Sequence, residues 1–311
     1  MEFSHTSVLL REVITALDVK PDGIYVDGTA GGAGHSLEIV KRLTTGHLYA
    51  FDRDPDAAAV ASERLKPYPA TVIQSNFDQM DKVLADFGVT RVDGILLDLG
   101  VSSYQLDNPE RGFSYRQDAA LDMRMSKTGP DAADLVATYS AEQLAEIFTR
   151  YGEEKFAFRI AKKIEAEREK APILTTGRLA DIIASAVPAS ARRDGHPARR
   201  CFQALRIAVN GELDSLSAGL DKAFFLLKPG GILAVITFHS LEDRMVKQAF
   251  KEYCTGCTCP PDLPVCVCGK KPQGHLQSRK PILPSEEELK NNPRSRSAKL
   301  RTIIKNEGDR L

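Results

Sequence analysis

The sequence predicts an α/β protein whose mostly parallel, doubly wound sheet is interrupted by a helical insertion. Two observations support this fold class. Short apolar segments alternate with helix-like segments through the first hundred residues, and the alternation stops near residue 108 and returns near residue 207. Strands that are apolar along their whole length and are separated by helices are typical of parallel sheets covered on both faces.

Four apolar segments predict the first strands: residues 23–27 (GIYVD), 47–52 (HLYAFD), 71–74 (TVIQ) and 92–98 (VDGILLD). The segments between them are rich in Ala, Leu, Glu and Lys and predict helices over residues 36–43, 55–65 and 79–87. Three of these strands end in an aspartate. Because ligands bind beyond the carboxyl ends of the strands in such sheets, we expect Asp27, Asp52 and Asp98 to surround one crevice.

The insertion is predicted from a long stretch without strand-like segments. Apolar residues recur at helical spacing over residues 130–151 and 153–170. We therefore predict a helical subdomain for substrate recognition at residues 108–206, inserted into a domain formed by residues 1–107 and 207–311.

The α/β pattern then resumes. It predicts a long helix over residues 202–227, ended by the sequence KPGG at 228–231. A fifth strand is predicted at residues 231–238, a helix at 241–253, and a strand-like segment at 299–305.

Composition excludes several classes of protein. The 311 residues carry 42 Lys and Arg against 42 Asp and Glu, so a nucleic-acid partner would have to bind a local basic patch. No run of about 18 apolar residues predicts a membrane span, and the first residues lack the pattern of a signal peptide. We therefore expect a cytoplasmic protein with no membrane partner.

A glycine-rich segment, DGTAGGAGHS at residues 27–36, follows the first predicted strand. Small residues let the backbone approach a ligand closely. A dinucleotide would call for the pattern G-x-G-x-x-G, but Leu37 stands where the third glycine belongs. S-adenosylmethionine fits better, because Asp27 suits its ammonium group and Asp52 can accept hydrogen bonds from its ribose hydroxyls. Asp52 alone does not discriminate, since enzymes that use a nicotinamide cofactor also place an acid there.

Phe77 follows the third predicted strand and allows two interpretations. It forms an apolar wall beside the adenine of the cofactor, or it is a core residue that closes the sheet. The sequence alone leaves both open.

Several long motifs resemble the MraW family of ribosomal RNA methyltransferases. They occur in the same order along nearly the whole chain: HTSVLL at 5–10, the loop at 27–36, GILLDLGVSSYQ at 94–105, RGFS at 111–114, LDMRM at 121–125, YGEE at 151–154, HPARR at 196–200, FQALR at 202–206, FHSLEDR at 238–244 and NPRSRSAKLR at 292–301. A set of motifs this long is far more specific than a lone glycine-rich loop. Cys201 departs from the small residue, such as Thr, that we expect between two of the motifs.

The resemblance implies a Rossmann-like class I methyltransferase with an inserted helical domain. It also implies methylation of N4 of a cytidine in the decoding region of 16S rRNA, within the small ribosomal subunit. The cofactor contacts that it implies, together with those expected from the loop, are Asp27, Gly31, Ala33, Gly34, His35, Asp52, Phe77, Asp98 and Gln105.

The residues that act on the acceptor amine are expected at the ends of the fourth and fifth strands. The N4 amine of cytosine is a poor nucleophile, because its lone pair is delocalised into the ring, so the enzyme must orient it and accept its hydrogen bonds. Amino-group methyltransferases often place Asn/Asp-Pro-Pro-aromatic here, whereas this chain has Asp98 followed by Leu99-Gly100. We expect Asp98, or carbonyls beside it, to lie nearest the reacting atoms; the alternative is that Asp98 only fixes the loop or contacts the cofactor. His239 and Ser240 are expected to orient the base, although Ser240 could instead cap the next helix.

Two basic segments predict contacts with RNA phosphates. Residues 192–206 hold five arginines and one aspartate, and residues 270–301 hold nine Lys and Arg and three glutamates. The RNA-binding residues we predict are Arg192, Arg193, Arg199, Arg200, Arg294, Arg296 and Arg301.

Five of the six cysteines, Cys254, Cys257, Cys259, Cys266 and Cys268, are crowded into fifteen residues. This spacing could hold one zinc ion through four thiolates, or it could belong to a reduced loop that binds no metal. The sequence assigns no metal ligand and no catalytic role to them.

Two further functions stay open at this stage. One is a methyltransferase that acts on DNA or a small molecule with the same cofactor. The other is a nucleic-acid-binding assembly factor whose glycine-rich loop no longer binds a cofactor. The MraW-like motifs and the two basic segments oppose the first, and the set Asp27, Asp52 and Asp98 opposes the second.

Overall fold

A seven-stranded sheet with strand order β3-β2-β1-β4-β5-β7-β6 forms the centre of the larger part of the chain. The computed structural model describes residues 7–192, 196–259, 265 and 268–307; for Arg192 only the backbone is described. The strands are β1 (Ile24–Asp27), β2 (His47–Asp52), β3 (Ala70–Gln74), β4 (Val92–Asp98), β5 (Leu227–Thr237), β6 (Gly274–Leu276) and β7 (Lys299–Lys305). Strands β1 to β5 pair in parallel. The prediction of a mostly parallel α/β sheet is therefore confirmed.

Thirteen helices occur among the described residues: α1 (Leu10–Leu17), α2 (Gly34–Val40), α3 (Pro55–Leu65), α4 (Met80–Asp86), α5 (Ser103–Asp107), α6 (Ala132–Thr138), α7 (Ala141–Gly152), α8 (Ala157–Arg168), α9 (Thr176–Ala186), α10 (Ala198–Asn210), α11 (Glu212–Leu226), α12 (Ser240–Cys254) and α13 (Glu286–Asn291). None of those found in the described ranges is long and apolar enough to cross a membrane.

The sheet is covered on both faces, because alternate residues of each strand point to opposite sides. Leu96 of β4 packs into one buried apolar cluster with residues of α1 and α2, such as Val13. Its neighbours Ile95 and Leu97 pack into a second cluster with residues of α11 and α12. A strand that is buried on both faces has no solvated side, so its sequence does not alternate between apolar and polar residues. This explains the continuous apolar sequences.

The chain divides into two units. One comprises Met1–Gly100 and Asp214–Leu311 and contains the sheet; the other comprises Val101–Leu213 and is helical. The helical unit has its own buried core, which includes Leu144, Phe148 and Ile160. Its bounds are wider at both ends than the 108–206 that the sequence predicts, because α5 and the end of α10 belong to it.

The predicted helix over residues 202–227 is wrong in one respect, since it is two helices. Helix α10 ends at Asn210, and Gly211 adopts φ 58, in the left-handed region that ends helices readily only at glycine. The Asn210 side chain then bonds inward: its Nδ2 donates to Met123 O and its Oδ1 accepts from Met125 N–H, both at 2.8 Å. These two hydrogen bonds within the helical unit stabilise the end of α10, where the chain turns into α11.

The KPGG sequence at residues 228–231 was predicted to end a helix, but the structure places it elsewhere. It does not separate a helix from a strand but lies within β5, where the register with β4 shifts between the pairs Val92–Leu227 and Gly94–Ile232. Gly230 has φ 77 at this irregularity. Pro and Gly are tolerated in a strand at such a bulge, so the turn signal here marks a bulge.

Strand β6 and the pairing of β7 were not predicted in full. β7 runs antiparallel to β5, and β6 runs antiparallel to β7. β6 is only three residues long, which is too short to show a periodic pattern in the sequence.

Candidate active site at the carboxyl ends of the strands

Three aspartates meet at one edge of the sheet. Asp27, Asp52 and Asp98 end β1, β2 and β4, and β1 lies between the other two strands. The charge of Asp27 contributes to raising the pKa of both Asp52 and Asp98, which means that the three carboxyl groups share one low-dielectric region. Carboxylates grouped in this way are suited to a positively charged ligand.

Asp27 is the most deeply placed of the three. Its side chain is buried, and its oxygens accept from the hydroxyl of Ser36 at 2.6 Å and from Thr29 N–H at 3.1 Å. Burial raises its pKa to about 6, and the two hydrogen bonds oppose that rise. Asp27 therefore ties the glycine-rich loop to α2 and also places negative charge beneath the loop.

Asp52 organises the other side of the loop. Its Oδ2 accepts from Gly31 N–H at 2.7 Å, and its Oδ1 accepts from Asp54 N–H at 2.8 Å. Burial raises its pKa to about 6. Each carboxylate oxygen has a second lone pair, so Asp52 can still accept a bond from a ligand hydroxyl.

The loop between β1 and α2 requires small residues for steric reasons. Gly31 and Ala33 have positive φ values of 51 and 62. A Cβ at Gly28 would lie 2.5 Å from the Leu97 side chain, and one at Gly34 would overlap the Ser7 hydroxyl. These close neighbours are protein side chains, so the expected approach of the backbone to a ligand stays a prediction. Ala33 shows that the left-handed position does not demand glycine here.

Asp98 faces His35 across the crevice. His35 is buried, its Nε2 lies 3.0 Å from Val8 O, and its Nδ1 lies 3.6 Å from Asp98 Oδ2. Burial lowers the His35 pKa to about 4, and burial, followed by the charges of Asp27 and Glu242, raises the Asp98 pKa well above its usual value. Burial therefore opposes ionisation of both groups at this contact.

One carboxyl oxygen of Asp98 has no hydrogen-bond partner among the described residues. This oxygen, Oδ1, is buried, while the backbone N–H of Asp98 donates to the Thr29 hydroxyl at 2.6 Å. A buried acceptor without a partner is costly unless a ligand satisfies it. This atom is the clearest sign that a donor group, such as an ammonium or an exocyclic amine, belongs in the crevice.

Phe77 is partly buried and packs against helix α11. A Cβ at Gly219 of α11 would lie 2.5 Å from its ring, and one at Gly28 would lie 3.1 Å from its Cβ. The ring also packs against the buried cluster that contains Leu97. This packing agrees with the core interpretation, and the remaining exposure leaves the adenine-wall role as a proposal.

His239 is the N-cap of helix α12, which corrects the capping role considered for Ser240. The His239 ring accepts from Glu242 N–H, and Glu242 Oε2 accepts from the N–H groups of Phe238 at 2.8 Å and His239 at 3.2 Å. His239 is therefore the N-cap, and Ser240 is the first helical residue. Histidine was not an expected cap, since Ser, Thr, Asp and Asn are the usual ones.

Glu242 is a site residue to which the sequence analysis gave no role. It is buried, and its Oε1 lies 3.1 Å from His239 Nε2, at an angle that makes no hydrogen bond. The Glu242 charge also raises the Asp98 pKa. The signal that could have found it is the spacing of the capping box, in which a Glu or Gln follows the N-cap by three residues.

Gln105 lies in the helical unit, where it is buried and closes a capping box at α5. Its Oε1 accepts from Ser102 N–H at 3.0 Å, and its own N–H donates to the Ser102 hydroxyl at 3.2 Å. These bonds fix the amide, so a contact with the cofactor stays a proposal.

The predicted RNA-binding arginines fall into two groups. Arg199, Arg200, Arg294 and Arg296 are exposed, as phosphate contacts require. Arg301 is different, because its Nε donates to Asp243 at 2.7 Å and only 14% of its side chain is exposed. Arg193 lies outside the described residues, as does the side chain of Arg192.

The chain matches the model of the MraW methylase family over residues 2–306. It is 55% identical over 313 residues to the "Ribosomal RNA small subunit methyltransferase H 2" of Agathobacter rectalis, covering 99% of this chain and 100% of that one. It is 53% identical over 310 residues to the "Ribosomal RNA small subunit methyltransferase H" of Symbiobacterium thermophilum, covering 98% of both. A crystal structure of an rRNA methylase from Streptococcus thermophilus aligns over 98% of this chain and all of the other, at 10% identity and a TM-score of 0.43.

Proposed function

The chain belongs to the MraW methylase family, and we propose that it methylates N4 of a cytidine in the decoding region of 16S rRNA, within the small ribosomal subunit. The family and the methyltransferase activity predicted from the motifs are confirmed. The choice of acceptor atom and of region rests on the motif resemblance. The choice of small-subunit rRNA is also supported by the names of relatives that are more than half identical over almost the full length.

S-adenosylmethionine is the cofactor of this methylase, as predicted, and it supplies an electrophilic methyl group on a sulfonium centre when bound. The described residues fit a cationic ligand of this kind. Asp27, Asp52 and Asp98 form an acidic edge, and burial raises the pKa of each carboxyl group. The loop that contains Gly31, Ala33, Gly34 and His35 is held by Asp27 and Asp52, which accept from the N–H groups of Thr29 and Gly31.

We assign the acceptor chemistry to Asp98 with support from His239. Asp98 Oδ1 is a buried acceptor that can bind an N–H of the exocyclic amine and hold its lone pair toward the donor methyl. A carboxylate in this position would also take the proton that the amine releases after methyl transfer. His239, fixed at the N-terminus of α12 by Glu242, supplies a ring nitrogen that can orient the base, and Ser240 begins the helix beside it.

We assign RNA recognition to the helical unit and to the exposed arginines. The unit Val101–Leu213 carries Arg199 and Arg200, and the sheet-containing unit carries Arg294 and Arg296 before β7. Phosphates are bound by such clusters, and a target base must leave its stack to enter a buried pocket. The Arg301 side chain forms an ion pair with Asp243, so its first role is structural, and contact with RNA is secondary.

The observation that carries this proposal is the full-length match to the family together with the acidic edge of the sheet. The test is methyl transfer from labelled S-adenosylmethionine to small ribosomal subunits that lack the modification, followed by mass spectrometry of the nucleosides. N4-methylated cytidine is the expected product. If a different nucleoside carries the label, the acceptor assignment is wrong.

Two other results would redirect the assignment. Tight cofactor binding without transfer to subunits or naked rRNA would favour a methyltransferase with a DNA or small-molecule substrate. Absence of cofactor binding would favour an assembly factor that only binds nucleic acid.

A further inference from the structure

The loop between α12 and β6 is closed at its base and carries three convergent cysteines. Gln273 N–H donates to Tyr253 O at 2.8 Å, and a Cβ at Gly256 would lie 3.0 Å from Pro272. The two ends of the loop are therefore neighbours. Closing a loop of this length costs conformational entropy, and no described apolar side chain of residues 255–272 is buried in the three apolar clusters.

The sulfur atoms of Cys257, Cys259 and Cys268 all lie within 4.8 Å of one another. Those of Cys257 and Cys268 are 3.7 Å apart. A tetrahedral zinc site with Zn–S bonds of about 2.3 Å places its sulfur atoms roughly 3.8 Å apart, whereas a disulfide needs about 2.05 Å. The observed separation matches two ligands of one metal ion.

Backbone N–H groups surround the Cys268 sulfur. The N–H groups of Lys270 and Thr258 hydrogen bond to the Cys268 sulfur. Gly269 has φ 61, in the left-handed region, which turns the chain so that the N–H of Lys270 points back at the preceding cysteine. Hydrogen bonds from backbone N–H groups to a thiolate are outer-sphere contacts that orient a metal ligand.

The other two cysteines of this segment have separate positions. Cys254 ends α12, packs against the apolar cluster that contains Phe250, and accepts a hydrogen bond from Leu276 N–H. It therefore does not belong to the cluster. Cys266 lies outside the described residues.

We propose that Cys257, Cys259 and Cys268 bind one Zn²⁺ ion, which fastens this loop in the absence of an apolar core. Thiolates select soft or borderline ions, and zinc binds them without redox chemistry. Each coordinating thiol loses one proton to solvent when the ion binds, and no electron is transferred. The site is structural and lies apart from the aspartates at the strand ends of β1, β2 and β4, to which it contributes no ligand.

The test is the metal content of the full chain, purified without a histidine tag and without chelator. We expect one zinc per chain by elemental mass spectrometry. Cys257→Ser and Cys268→Ser should bind zinc at least about tenfold more weakly. The matched control is Thr258→Ala, which lies between two of the ligands and keeps the backbone N–H that bonds to Cys268.

A second measurement keeps the test independent of folding defects in the variants. Cobalt added to the reduced, metal-free wild-type chain should give the visible absorption bands of tetrahedral thiolate coordination, and zinc should abolish them. Absence of zinc together with absence of these bands would overturn the proposal. So would a disulfide between Cys257 and Cys268 in freshly isolated protein, or a stoichiometric metal other than zinc.

Discussion

Nδ1 of His35 lies 3.6 Å from Oδ2 of Asp98, and burial shifts the pKa of each group toward its neutral form. Burial thus opposes ionisation of both groups where they meet. A cationic ligand would change this, because it would favour the ionised carboxylate. Binding of a cationic ligand should therefore lower the pKa of Asp98.

Asp98→Ala should lower kcat for methyl transfer by about 100-fold, because the exocyclic amine loses its acceptor. Asp98→Asn should retain more activity, since its amide oxygen can still accept a hydrogen bond. Single-turnover rates at saturating cofactor measure this effect. Asp93→Asn is the matched control: it lies on the same strand, where its carboxylate pairs with Lys228. Cofactor binding and a transfer rate both unchanged in Asp98→Ala would exclude the catalytic role.

Asp52→Asn should raise the Kd for S-adenosylmethionine about tenfold, because a hydrogen bond to a charged acceptor is replaced by a weaker one. Wild-type affinity should also fall as the pH drops through 6, where Asp52 and Asp27 take up protons. Calorimetric titrations between pH 5 and 8 measure both effects. The variant should show a shallower pH dependence, and an equally steep one would contradict the role of Asp52.

His35→Gln should change how stability responds to acid. The folded-state pKa of His35 is about 4, below the usual 6.5, so the unfolded chain takes up a proton first as the pH falls. Its contribution is present above pH 6.5 and is lost progressively toward pH 4, by on the order of 3 kcal/mol. Asp27 and Asp52 have raised pKa values and act in the opposite direction over the same range.

The difference between wild type and His35→Gln isolates the histidine from the two acids. Urea unfolding of both proteins at several pH values gives this difference. It should shrink as the pH falls from 6.5 to 4. A difference that stays constant with pH would show that His35 is not the group that titrates.

His239→Asn separates the two roles of this residue. Asparagine is a good N-cap, so the variant should keep its thermal stability, whereas His239→Ala should lose about 1 kcal/mol. Both variants should lower kcat with little change in the Kd of the cofactor, because the ring that orients the base is gone. Full activity in His239→Asn would reduce the role of His239 to capping.

Arg296→Ala should weaken binding to small-subunit rRNA and should lower the slope of log K against log salt by roughly 0.7, the loss of one phosphate contact. Arg199→Ala should behave alike. Lys41→Ala is the control, because Lys41 is an exposed cation paired with Glu38 outside both basic segments. Equal effects of all three substitutions would indicate a general charge effect.

The sequence by itself determined the parallel part of the sheet and the position of its acids. Alternating apolar segments mark β1 to β5, and parallel strands bring their carboxyl ends to one edge, so Asp27, Asp52 and Asp98 had to meet. The order of the long motifs also determined the family. Each motif is a continuous stretch of sequence, so it can be recognised without the tertiary contacts.

Only the tertiary structure decided how burial shifts the pKa of each acid, which residue caps α12 and which cysteines lie close together. The raised pKa of Asp98 depends on burial, on the charge of Asp27 and on the charge of Glu242, which is 144 residues away in sequence. The convergence of Cys257 and Cys268 depends on the base of the loop being closed by Gln273 and Tyr253. Desolvation and long-range approach are properties of the packed chain, and no local pattern carries them.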